Sequence, residues 1–88
     1  MRIKDGFVLH RVDSEYIVVA VGAASKDFHG VIKLNATCAD IWNAFADGRN
    51  EAEVAKILTE TYDVAEEKAA EDVRRVADIL RQNGIIEE

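Results

Sequence analysis

The sequence predicts an α+β domain in which a three-stranded antiparallel sheet comes first and three helices follow. Three observations carry this reading. Phe7 to Val12 and Tyr16 to Val21 are runs of β-branched and aromatic residues separated by the turn-forming Asp13-Ser14-Glu15, the signature of a β-hairpin. From Asn35 onward the apolar residues recur at helical spacing. The chain has no proline to break a helix, and strands followed by helices place the helices on one face of the sheet. Strands attached to three helices also suggest a winged helix-turn-helix-like arrangement.

The elements follow in order. The second run, "YIVVAV", lacks alternation, so it is expected to be covered on both faces. "GAASKDFHG", from Gly22 to Gly30, is a loop of a length that often holds something. Val31 to Leu34 reads as a short third strand at a sheet edge. Asn35 or Thr37 can cap the first helix, Thr37 and Asp40 matching a capping box, with Cys38, Ile41, Trp42 and Phe45 on one face. Asp47-Gly48 ends it. Asn50 with Glu53 opens a second helix carrying Val54, Ile57, Leu58 and Thr61, with Tyr62 beside the seam. The third helix, from Glu66 to Asn83, has a stripe of Ala69, Val73, Val76 and Leu80, broadened by Ala70, Ala77 and Ile79. Ala65 precedes it where a capping side chain is expected, leaving Asp63 as the alternative cap. Gly84 is the natural residue after its end, and Ile85-Ile86 packs or pairs beyond it.

At 88 residues, 49% hydrophobic and 32% charged, the chain is read as a single globular domain over 1–88. No apolar run nears the roughly 18 residues of a membrane span, and "MRIKDGF" has no signal-peptide core. A cytoplasmic location is expected. The lone Cys38 has no partner for a disulfide or a CxxC pair. The net charge of −6 is uneven: residues 1–35 hold five basic and four acidic side chains, a balance of +1, so residues 36–88 carry −7.

These patterns exclude several chemistries. His10 and His29 lie far apart, with no serine or cysteine in a nucleophile motif beside either, so no catalytic residue is assigned. His10, His29 and Cys38 have the donor types but not the spacing of a metal site, and Gly22 and Gly30 are too far apart for a phosphate loop. No metal or cofactor is expected. A winged-helix DNA-binding regulator would read bases with the third helix, but there Lys68, Arg74, Arg75 and Arg81 face Glu66, Glu67, Glu71, Asp72 and Asp78, and such a helix is repelled by phosphates. No nucleic acid or membrane partner is therefore expected. An adaptor binding a folded protein stays open. So does a peptide-binding edge, in which Val31 to Leu34 accept an extended guest through outward N–H groups at Ile32 or Lys33, while Lys68, Arg74 and Arg75 meet acidic guest residues. The bland alternative is a short edge protected by Lys33. An open edge can equally pair with its own copy, so a homodimer is also open.

The segment "VIKLNATCADIWNAFADGRNEAEVAKILTETYDV", followed by "AAEDVRRVADILRQNGII", resembles the PqqD family. The resemblance rests on Leu34-Asn35, Thr37, Ile41-Trp42, Asp47-Gly48, Tyr62-Asp63-Val64 and Gly84-Ile85-Ile86 in that order, and covers roughly residues 6–86. The strand region lacks the Pro-Glu-Gly turn of the pyrroloquinoline quinone branch, so the chain is PqqD-like. The resemblance implies a non-catalytic recognition element for ribosomally made peptides. Such an element binds the leader segment of a precursor peptide between the third strand and third helix and delivers it to a modifying enzyme, often a radical S-adenosylmethionine enzyme. It further implies that Gly30, Val31, Ile32, Lys33 and Leu34 pair with the leader, and that Lys68, Asp72, Arg75, Val76 and Ile79 form the wall opposite.

Overall fold

A computed structural model of the chain describes residues 2–26 and 30–87. The hairpin is β2 (Phe7–Val12) and β3 (Glu15–Ala20), in register from Phe7 opposite Ala20 to Val12 opposite Glu15. Its turn is only Asp13-Ser14, because Asp13 takes a left-handed φ of 56°, a conformation Asp tolerates better than most residues. The shorter turn starts β3 one residue earlier than the sequence suggests. A short 3₁₀ helix, Gly22–Lys26, follows. β4 (Ile32–Leu34) then pairs antiparallel with β3, giving the order β2-β3-β4.

The helices are α1 (Ala36–Ala46), α2 (Glu51–Thr61) and α3 (Glu66–Gln82). α1 starts at Ala36 because Asn35, not Thr37, caps it: its side-chain oxygen accepts the Cys38 N–H at 2.8 Å. At α2 the Asn50–Glu53 capping box closes in both directions, at 2.9 and 3.0 Å. α3 lacks a side-chain cap; Asp63 does not substitute for Ala65. This uncapped end saves no N–H group, a cost of about 0.5–2 kcal/mol. Two short strands were not foreseen: β1 (Arg2–Ile3) and β5 (Ile86–Glu87) pair with each other, and Arg2 meets Glu87 at 3.3 Å. Ile85 and Ile86 therefore both pack and close the domain, their side chains joining the core.

That core lies between the inner face of the sheet and the three helices, with Val18, Ile41, Phe45, Val54, Val73, Leu80 and Ile85 as its large buried members. Phe7, Leu9, Ile32 and Leu34 reach it from the sheet. Ala77 joins it, whereas Ala70 is exposed and Ile79 remains 40% exposed, so the apolar stripe of α3 is narrower than its sequence suggests. The "YIVVAV" run is covered on one face only: Val18 is buried, while Ile17 and Val19 face away from the helices and are half-buried.

Gly6 shows why the chain needs glycine where β1 bends into β2. Its φ is 97°, and a Cβ there would lie 2.7 Å from the Ala24 Cβ. The 3₁₀ helix packs into the space a side chain would fill.

Candidate functional site

β4 is one of the two edges of the three-stranded sheet: among the described residues its strand neighbour is β3. Which of its backbone groups are free follows from the register. The Val21 N–H donates to the Gly6 carbonyl at 2.7 Å, so Val21 directs its polar groups toward β2. Hydrogen-bonding direction alternates along an antiparallel strand. Hence Glu15, Ile17 and Val19 also face β2, whereas Tyr16 and Val18 face β4. Their partners there are Leu34 and Ile32, so Ile32 and Leu34 spend their N–H and C=O groups on β3. Val31 and Lys33 direct theirs to the open edge. The expectation of an outward N–H at Ile32 is thus corrected: it belongs to Lys33 and Val31.

Side chains alternate across the sheet at the same time. Ile32 and Leu34 turn inward and are half-buried, while Val31 and Lys33 are exposed on the outer face, Val31 by 58%. Gly30 is exposed at the entry to the strand.

On α3, Lys68, Asp72, Arg75 and Ile79 fall at i, i+4, i+7 and i+11, one continuous stripe. Asp72 joins them electrostatically: one of its oxygens accepts from Lys68 Nζ and from Arg75 at 3.0 Å each. Its side chain is only 19% exposed, against more than half for each cation. The carboxylate is thus held inward and the cations outward, a stripe of net charge +1 at its polar end and the apolar Ile79 at the other. Val76, by contrast, is 2% exposed and sits in the core. It can shape this wall only from behind.

The first turn of α1 bridges β4 and α3. Cys38 is half-buried against the core, and its thiol is pushed up by burial, opposed by the hydrogen bond at Asn35 and by the Arg75 charge, with Asp72 acting in the upward direction. The packing of Cys38 against the core agrees with its place on the apolar face of the first helix in the sequence. Nearby, the Tyr62 hydroxyl donates to the Asp40 carboxylate, pinning the end of α2 to α1, and this bond is the main cause of its raised pKa.

The remaining candidates do not converge. His10 is exposed on β2 and His29 lies outside the described residues. Among the described residues, no cluster of His, Cys, Asp and Glu could hold a metal ion, and no helix is long and apolar enough to cross a membrane. On α3, Arg81 meets Asp78 and Glu51, each at 3.0 Å. With Lys68 and Arg75 tied to Asp72, three of the four cations of α3 are paired with carboxylates, and Arg74 is exposed.

Fold and edge together define a winged-helix-like α+β domain with an open third strand. The chain belongs to the PqqD family: the model for coenzyme PQQ synthesis protein D (PqqD) matches residues 8–86. Two solved structures share its fold. "TbiB1 in Complex with the TbiA(beta) Leader Peptide" aligns with TM-score 0.78 and 21% identity over 99% of this chain and 95% of that one. "Lasso peptide synthetase B1 complexed with the leader peptide" aligns with TM-score 0.75 and 25% identity over 96% and 93%. No curated protein matches the sequence.

Proposed function

We propose that residues 1–88 act as one non-catalytic peptide-recognition domain, which binds the leader segment of a ribosomally made precursor by strand addition and presents it to a modifying enzyme in the cytoplasm. The observation that carries the reading is the open backbone edge at Lys33 on β4, with Val31 just before the strand. Family membership and the leader peptide bound to the lasso peptide synthetase B1 of similar fold support it.

The energetics indicate what the two halves of the site contribute. Val31 and Lys33 offer one N–H and one C=O each, so a guest gains about four main-chain hydrogen bonds, worth about 0.5–1.5 kcal/mol apiece. Micromolar binding needs about −8 kcal/mol net of association costs. The backbone alone falls short. Side chains of the guest must supply the rest by burying against Ile32, Leu34 and Ile79 and by placing a carboxylate near Lys68 and Arg75. Gly30 allows close approach at the strand entry, and Val76 keeps the helix wall rigid.

The test is calorimetry with the leader encoded by the nearest precursor gene, alongside a scrambled peptide and a short duplex. Binding of the leader alone, with Kd from nanomolar to micromolar, is expected. Binding of the duplex alone would replace this reading with that of a DNA-binding regulator.

A further inference from the structure

The chain passes from β4 to α1 through a single residue, Asn35, with no loop between them. Asn35 commits two of its groups to α1. Its side-chain oxygen accepts the Cys38 N–H at 2.8 Å, and its carbonyl accepts the Ala39 N–H at 2.9 Å. The first is the helix cap and the second the first intrahelical bond. Its own N–H has no hydrogen-bond partner among the described residues, and the residue is exposed. That donor is left to water or to a ligand.

The direction of this N–H follows from the strand before it. Leu34 pairs with Tyr16 and spends its N–H and C=O groups on β3. Asn35 is still extended, at φ −82° and ψ 176°, so alternation carries its N–H to the side that Val31 and Lys33 face. The open edge therefore runs one residue past β4. It offers donors at Val31, Lys33 and Asn35, each two residues and roughly 6–7 Å from the next, but acceptors only at Val31 and Lys33. This end of the edge closes on a donor, because the following carbonyl is already held by α1.

We propose that Asn35 is the last rung of the guest ladder: its N–H donates to a main-chain carbonyl of the bound extended peptide while its side chain holds the first turn of α1. The inference rests on the peptide-recognition reading and adds to it a binding residue that lies outside both β4 and the α3 stripe. One residue then fixes where the guest strand stops and where the helix starts. The rung is one-sided. The guest must present a carbonyl there, and its own N–H finds no free acceptor opposite, since the Asn35 carbonyl is spent on Ala39.

A pair of variants isolates the N–H from the cap. Asn35→Ala removes the capping side chain and keeps the N–H, whereas Asn35→Pro removes both. The backbone accepts proline here, because φ is close to the ring's own value and Leu34 before it is extended. Both variants lose the same cap, so the comparison between them reports the N–H. The probe is the leader encoded by the nearest precursor gene, titrated by calorimetry after a melt has shown each variant to be folded. Asn35→Pro should bind it at least fivefold more weakly than Asn35→Ala; equal affinities would overturn the proposal. A second measurement needs no variant and decides alone should either fail to fold. In the wild-type domain saturating leader should slow amide exchange at Asn35 at least tenfold, together with Val31 and Lys33. Slowing at Val31 and Lys33 with Asn35 still at its free rate would overturn the last rung alone. A bound leader that slows none of the three, or a domain that binds no leader, would overturn the strand-addition reading with it.

Discussion

Lys33→Pro separates the open edge from the sheet that supports it. The Lys33 N–H points away from β3, so its loss removes no ladder bond within the domain, and Ile32 before it is already extended as a residue preceding proline must be. Edge strands accept proline on such terms. In the complex the same change removes one of about four main-chain bonds and leaves a guest carbonyl unpaired. The lost bond is worth about 0.5–1.5 kcal/mol and a buried unsatisfied group costs about 1–3 kcal/mol. Leader affinity should therefore fall by about 1–3 kcal/mol, or roughly five- to 150-fold. Lys33→Ala retains the N–H and should bind within about threefold of wild type, isolating the backbone from the charge. Ile32→Pro should instead lose thermal stability, because its N–H faces Val18 in the ladder. Calorimetry measures the affinities and a circular-dichroism melt the fold. Unchanged affinity in a folded Lys33→Pro domain would refute the assignment of the guest to this edge.

Other outcomes follow from the same structure. Arg75→Glu should weaken an acidic leader by roughly three- to tenfold at low salt and much less at high salt, measured by fluorescence anisotropy. Gly6→Ala meets both a left-handed φ and the Ala24 side chain; about 2 kcal/mol of destabilisation, roughly 8–16 °C in Tm, is expected by melting. Tyr62→Phe removes the hydrogen bond to the exposed Asp40 and should cost about 0.5–1 kcal/mol, visible as a lower denaturant midpoint. Burial raises the Cys38 thiol above the ordinary range, so alkylation should be slow at neutral pH. Because the folded pKa is the higher one, the neutral thiol's contribution to stability is present below the ordinary thiol pKa and is lost as pH rises through the raised folded value. Chemical unfolding of Cys38→Ala beside wild type across that range reads the difference.

The sequence made the order of strands and helices legible because period and punctuation change sharply at Asn35. Local chemistry was less decisive where two residues could do one job. Asn35 and Thr37 both fit a cap, and Asn35 caps because α1 begins directly after β4. Asp63 was a plausible substitute for Ala65, yet the helix starts without either. The β1–β5 pair escaped notice because two-residue strands have no periodicity and their pairing joins the two ends of the chain. The edge character of β4 was readable from its length, but the direction of each N–H was not: it depends on the β2–β3 register, fixed by a turn one residue shorter than expected. Likewise, Ile79 on the surface and Val76 in the core share a helix stripe whose rotation only packing determines.

Amide hydrogen exchange, resolved by NMR with and without the leader peptide, tests strand addition most directly. In the free domain Ile32 and Leu34 should be protected by β3, while Val31 and Lys33 exchange fast. Saturating leader should slow exchange at Val31 and Lys33 by at least tenfold. A leader that binds while those two amides keep exchanging at their free rates would contradict the account and place the peptide elsewhere on the domain.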